Sequence, residues 1–220
     1  MLLPIADLLD IPTLKSVRRL LANAPRYAGV RSAGWAARAV KLNTQFEASA
    51  PAVMQAAELI QAALLAHPVV QLAARTAKLS PVHFNAYCKG QSYGLHTDDA
   101  YMSDLRTDLS YTLFLSERDS YEGGELIIDD HSGEQGFRLE AGGLLLYPAD
   151  SLHQVTAVVR GERLAAFGWL QSQVRDASER AILFDLELVR RHLHATEAGS
   201  AEFLRLSRVC GSLARRWSGA

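Results

Sequence analysis

The 220-residue sequence predicts an α+β protein in which an antiparallel β-core is bracketed by helices at both ends. Three observations predict it. Helical spacing of apolar residues is confined to the two ends, short β-rich runs punctuated by glycine fill roughly residues 82–172, and a hydrophobic content of 49% is enough to bury one substantial core.

Residues 12–24 carry Leu14, Val17, Leu20 and Leu21 at helical spacing, and residues 51–66 repeat the pattern with Val53, Ala56, Ala57, Ile60 and Leu64 after Pro51. The middle reads "VHFNAYCKG", "SYTLFLS", "GGELIIDD", "FRLEAGGLLLYP", "HQVTAVVRG" and "RLAAFGWLQ", a spacing that suggests an antiparallel barrel or sandwich. Helix returns after residue 176, with Ile182, Leu186, Val189 and Leu193 on one stripe and Phe203, Leu206, Val209 and Leu213 on another. With no internal repeat, low-complexity segment or linker, residues 1–220 read as a single domain: 1–80 as helical and strand support, 81–173 as the core, 174–220 as C-terminal helices. Those last helices offer either a cap on the barrel or a dimer interface, and a homodimer is the expectation.

Composition excludes several classes. With 23 basic against 24 acidic residues the net charge is −1, which gives no electrostatic reason to expect nucleic acid or an anionic membrane. The N-terminus "MLLPIADLLDIPTLKSVRRL" lacks a basic leader and is interrupted by Pro4, Asp7, Asp10 and Pro12, unlike a signal peptide. No apolar run reaches the roughly 20 residues that span a bilayer. Cys88 and Cys210 stand far apart, outside any CxxC pair, which fits a reducing cytoplasm and excludes a cysteine zinc module. Any metal must be held by nitrogen and oxygen.

The stretch "YGLHTDDA" places His96 beside Asp98 and Asp99. In a strand alternate residues share a face, so His96 and Asp98 project together roughly 6 to 7 Å apart, while Thr97 and Asp99 point away. A third donor must come from elsewhere. His67 sits at a helix end beside Pro68, His131 in the polar "DDHSGE" turn, and His192 and His194 in an arginine-rich stretch; His83, on the strand entering the motif, is a weaker candidate. His153 follows the apolar "LLLYP" and a turn, where a side chain can enter a barrel mouth, and Arg163 stands ten residues later after "RGE". Two histidines and one carboxylate form the facial triad that leaves positions on a ferrous ion open for a bidentate cosubstrate and dioxygen. A guanidinium nearby adds a fork for the far carboxylate of a dicarboxylic acid, which suggests a 2-oxoacid bound to iron.

In "YCKGQSYGLHTD", "RTDLSYTLFLS", "YEGGELIIDD", "LLLYPADSLHQVTAVVRGERLAAFGWLQS" and "VRDASERAILFDL" the sequence resembles the Fe(II)- and 2-oxoglutarate-dependent dioxygenases, within them the prolyl 4-hydroxylase-like group and most closely the bacterial PKHD-type hydroxylases. The resemblance runs from about residue 80 to 188 and more weakly over the N-terminal part. It implies a double-stranded β-helix core of jelly-roll or cupin-like type, with N-terminal and C-terminal helices. It implies that His96, Asp98 and His153 hold iron and that Arg163 and Tyr87 meet the C5 carboxylate of 2-oxoglutarate. It matches Tyr93 to a tyrosine near the substrate mouth and Trp169 to an aromatic near the iron. One departure is that related prolyl hydroxylases commonly carry lysine where Arg163 stands, which bears on how the cosubstrate is held. The implied reaction is hydroxylation of an unactivated C–H bond using dioxygen, with release of succinate and carbon dioxide and with L-ascorbate (vitamin C) as reductant. The substrate class it leaves open is a prolyl or lysyl residue of a protein, or a small metabolite such as a siderophore.

Other residues have structural explanations. Arg106 and Asp108 in "RTD" read as a structural pair, Asp99 as a hydrogen-bonding loop residue, and Gly123 and Gly124 as a turn where backbones approach closely. Two rival functions compete. A metal-dependent cupin enzyme explains the triad but leaves Arg163 and Tyr87 without a role. A non-catalytic sensor of iron or 2-oxoglutarate would bind without turnover.

Overall fold

The computed structural model describes residues 1–35, 37–130 and 133–219. His131, expected in a solvated turn, lies outside the described residues. Two antiparallel sheets face each other. The larger runs β1 (Leu3–Ile5), β14 (Leu144–Pro148), β10 (Leu109–Phe114), β17 (Arg163–Ser172), β6 (His83–Tyr87), β4 (Thr44–Phe46), β2 (Arg26–Ala28), with β5 (Thr76–Leu79) also on β17. The smaller runs β13 (Gly133–Phe137), β12 (Leu126–Asp130), β15 (Leu152–Val155), β7 (Ser92–His96), β3 (Lys41–Leu42). Two short ribbons, β8 (Tyr101–Met102) with β9 (Leu105–Arg106) and β11 (Glu122–Gly123) with β16 (Val158–Arg160), complete the strands among the described residues. The residues read as N-terminal support therefore supply strands to both sheets.

The central strands of the larger sheet are covered on both faces, so their sequences look continuously apolar while their side chains still alternate. Phe84, Ala86, Tyr111, Leu113, Leu144, Leu146, Ala166 and Leu170 face helices α1 (Ile11–Leu21), α2 (Pro51–Ala66) and α3 (Pro68–Ala74), packing with Val17, Ile60 and Val70 in one cluster. The opposite parity faces the smaller sheet: Tyr87, Phe114, Leu145 and Tyr147 pack there with Leu126, Ile128 and Val155. That second parity also carries the polar residues, which is where the site lies.

Helix starts follow their capping chemistry. Asp10 accepts from the Thr13 amide at 2.8 Å, Pro51 and Pro68 stand in the first turns of α2 and α3, and Asp176 caps α4 (Ala177–Glu197) through the Ser178 and Glu179 amides at 2.8 and 2.9 Å. α4 turns Leu183, Phe184 and Glu187 inward, whereas Ile182 and Val189, expected on its buried stripe, are exposed. The difference arises because Arg180 and Glu187 hold the inner face: Arg180 donates to the Val174 carbonyl at 2.9 Å, and Glu187 accepts from Arg190 at 2.6 and 2.8 Å. On α5 (Ala201–Trp217), Cys210 is buried and Val209 exposed, again one position off the expected stripe. Among the described residues no single helix is long and apolar enough to cross a membrane.

One polar knot ties the core to the loop before β10. Asp108, with a 6% exposed side chain, accepts from Arg106 at 2.7 and 2.8 Å and from the Ser172 amide at 2.8 Å, the structural pair the sequence suggested. Asp108→Ala leaves a half-buried guanidinium and a buried amide without their acceptor, and should cost about 2–4 kcal/mol in denaturant unfolding. Asp104→Ala, which removes a 3.6 Å pair at a 91% exposed side chain, should leave the midpoint nearly unmoved.

Candidate active site

Strand pairing places two histidines side by side. β7 and β15 are antiparallel neighbours with His96 opposite His153, and their rings lie 4.2 Å apart between centroids. Asp98 completes a group whose candidate ligand atoms all lie within 4.8 Å of one another, a set able to hold a metal ion. β7 ends at His96, so strand alternation does not hold Asp98 in place. Ser110 of β10 does: its hydroxyl donates to Asp98 Oδ2 at 2.5 Å. Asp99 is exposed and uses its carbonyl to accept from Thr107 at 2.6 Å, as a loop residue would.

The two imidazoles are set in one tautomer. His96 Nδ1 lies 2.8 Å from the Gly94 carbonyl and His153 Nδ1 lies 3.0 Å from the Ser151 carbonyl. Carbonyl oxygens only accept, so each Nδ1 carries the proton and each Nε2 lone pair is left for a metal. Tyr93 stacks on His96 at 3.7 Å and Tyr147 meets His153 edge-on at 5.3 Å, fixing both rings. Burial, then the neighbouring His153, pulls the His96 imidazole down to about 4, so it stays neutral through the physiological range.

Arg163 opens β17 opposite Tyr87 of β6. Its approach is shaped by two glycines. Gly161, at φ +78°, would put a Cβ 2.3 Å from the Ser120 carbonyl, and Gly124, at φ +64°, one 3.0 Å from Arg163 Cδ, so neither position takes a side chain without displacement. The guanidinium is 1% exposed, lies 5.3 Å from the ring centres of both Tyr87 and Phe114, and its Nε and Nη2 have no hydrogen-bond partner among the described residues. A buried cation with idle donors is costly unless an anion joins it. Tyr87 is fully buried, its hydroxyl accepts from Asn85 Nδ2 at 3.3 Å, and burial raises its pKa so that it remains a neutral donor. Both residues line the same cavity as the triad, a space of about 1210 Å³ between the sheets.

The remaining candidates divide. Trp169 lines the cavity while 9% exposed, and His83 lines it too, packed on Phe167 and Trp169 at 5.4 and 5.8 Å rather than joining the triad. His67 lies between α2 and α3 and His192 and His194 lie on α4, away from the cavity lining. Sequence reasoning passed over Ser110 and Lys41. Ser110 and Thr112 are the two polar positions of one parity in the otherwise apolar "LSYTLF", a signal that one face of that strand meets something polar. Lys41 sits in a two-residue strand with no local pattern; it lines the cavity, its Nζ 5.1 Å from the Tyr93 ring centre, and burial pulls its ammonium down to about 8.

Known proteins resemble this chain along nearly its whole length. Residues 82–171 match the family described as the 2OG-Fe(II) oxygenase superfamily. A PKHD-type hydroxylase of Synechococcus sp. is 43% identical over 99% of both chains. The chain belongs to the PKHD-type hydroxylases. Another, from Shewanella sp. strain ANA-3, is 44% identical, again over 99% of each chain. A Pseudomonas putida prolyl-4-hydroxylase shares the fold, with a TM-score of 0.55 and 22% identity over 78% of this chain and 92% of that one. So does the Trichoplax adhaerens prolyl hydroxylase in complex with a hypoxia-inducible-factor peptide fragment, with a TM-score of 0.58 and 13% identity over 82% and 86% of the chains. The core is thus the jelly-roll of these oxygenases, and the PKHD-type chain is an oxidoreductase, a hydroxylase, whose family implies Fe(II), 2-oxoglutarate and dioxygen.

The depressed His96 pKa has a sign that can be checked in metal-free protein. As pH falls from about 6.5 towards about 4, the unfolded chain takes up a proton that folded His96 refuses, so unfolding becomes easier across that window. The drop in unfolding free energy between neutral pH and the acid end of that window should be smaller in His96→Gln than in the unmodified protein.

Proposed function

We propose that this PKHD-type hydroxylase binds Fe(II) through His96, Asp98 and His153, with Arg163 and Tyr87 anchoring the far carboxylate of 2-oxoglutarate. The observation that carries this is Arg163: a buried guanidinium with unpartnered Nε and Nη2, in the wall of the cavity that holds the two imidazoles and the carboxylate. When bound, the metal and cosubstrate supply the oxidising chemistry that hydroxylates an unactivated C–H bond with release of succinate and carbon dioxide. The chain's own residues do the rest. His96 and His153 present their Nε2 lone pairs to the cavity because each Nδ1–H donates to a backbone carbonyl, of Gly94 and of Ser151. Ser110 fixes the rotamer of Asp98, and Tyr93 and Tyr147 keep the imidazole planes from turning. Arginine in place of the lysine of related prolyl hydroxylases provides a planar fork, matched to a carboxylate reaching it from the cavity that Tyr87 also lines.

The substrate is a prolyl or lysyl residue of a protein, or a small metabolite such as a siderophore. Neighbouring structures hold a peptide fragment in one case and hygromycin B in another, which supports the fold serving both scales. Free Cys88 and Cys210 favour a reducing cytoplasm, with L-ascorbate as the accompanying reductant. The exposed Ile182, Leu188 and Val189 on α4 favour a homodimer through the C-terminal helices.

Arg163→Ala should raise the 2-oxoglutarate requirement for succinate formation roughly 10- to 150-fold, the range of a lost charged hydrogen bond. Fe(II) affinity should be unchanged. An unaltered cosubstrate requirement would remove Arg163 from this role. Ser110→Ala should do the opposite, weakening metal binding roughly tenfold or more through Asp98 while sparing the 2-oxoglutarate requirement at saturating metal.

A further inference from the structure

Resting on that reading of the site, we propose that Lys41 selects the primary substrate by its charge, so that the enzyme acts on a carboxylate-bearing molecule or residue whose apolar body lies against His83, Phe167 and Trp169. Lys41 stands on β3, the edge strand of the smaller sheet, in register with Tyr93. Its Nζ lies 5.1 Å from the Tyr93 ring centre, and that ring stacks at 3.7 Å on His96. The ammonium is thus no further from the His96 ring than those two distances together, close enough for an anion on it to belong to the same small group as a C–H bond facing the triad.

Charge accounting singles it out. In the loaded site a ferrous dication, the Asp98 carboxylate, the two carboxylates of 2-oxoglutarate and the Arg163 guanidinium cancel. Lys78, also at the cavity, pairs with Asp104 at 3.6 Å. Among the described residues Lys41 has no carboxylate within salt-bridge distance; its Nζ donates only to the Ser32 hydroxyl, at 3.2 Å. The carboxylate whose field acts on it is Asp98, which the metal would engage. A partly buried ammonium left without a counter-charge favours an anionic ligand over a neutral one of the same shape. Across the cavity, Phe167 and Trp169 meet edge-to-face at 5.8 Å with His83 packed on both, a wall suited to the apolar part of such a substrate.

The test uses the protein loaded with Fe(II) and 2-oxoglutarate without dioxygen, so that Arg163 is already occupied. Benzoate and its neutral analogue benzamide are titrated by tryptophan fluorescence, while the absorption band of the Fe(II)–2-oxoglutarate complex reports the cosubstrate. Benzoate should bind about tenfold more tightly than benzamide, the scale of one charge-assisted contact. Lys41→Met should abolish that preference, Lys41→Arg should keep it, and in both the absorption band should form at the unmodified 2-oxoglutarate concentration. Equal affinity for the two probes, including no measurable binding of either, overturns the proposal, as does a preference that survives Lys41→Met. A Lys41→Met protein that needs more 2-oxoglutarate to form the band would assign Lys41 to the cosubstrate instead and equally overturn it. Absence of the band in the unmodified protein overturns the site reading itself, and this inference with it.

Discussion

The register between β7 and β15 is the constraint on which the rest depends. It sets His153 opposite His96, and because side chains alternate along each strand, a slip of one residue would send either imidazole to the far face of the sheet. The register is held by β12 on the other side of β15, where Ile128 faces His153 and Leu126 faces Val155 in the apolar layer between the sheets. Packing therefore positions the imidazoles. The result is a group of two imidazoles and a carboxylate close enough together to hold a metal ion.

The larger sheet supplies the complementary half. Its outward parity is bound to α1, α2 and α3 through an almost wholly apolar cluster, which leaves the inward parity free to carry Asn85, Tyr87, Ser110, Thr112 and Arg163 without loosening the fold. Arg163 is buried with idle donors, Lys41 half-buried with only a hydroxyl, while Arg106 donates to Asp108 and Arg180 to the Val174 and Arg175 carbonyls. Arg163 and Lys41 further differ from Arg106 and Arg180 in lining the cavity that holds the two imidazoles and Asp98.

Much of this was legible in the sequence. Helices α1 and α2, the β-rich middle and the return of helix after residue 176 followed from periodicity, and the conjunction of His96, Asp98, His153 and Arg163 followed from residue type together with order along the chain. Strand alternation points to Asp98 over Asp99, yet the strand stops at His96 and a hydroxyl from β10 makes the choice. Ser110 and Lys41 were missed because their roles are set by strands distant in sequence: Asp98 meets Ser110 across the two sheets, and Lys41 reaches Tyr93 only through pairing of a two-residue edge strand. The stripe on α4 was misplaced because an arginine and a glutamate, normally solvent residues, take part of its buried face.

The proposed site puts a metal on His96, Asp98 and His153 and a dicarboxylate between that metal and Arg163, all in one cavity. A crystal structure with Mn(II) in place of iron and with 2-oxoglutarate tests it most directly. The metal should lie on the Nε2 atoms of both histidines and on the Asp98 carboxylate, with the far carboxylate of 2-oxoglutarate against Nε and Nη2 of Arg163. A metal ligated elsewhere, or a 2-oxoglutarate whose far carboxylate leaves that guanidinium unpaired, would contradict it.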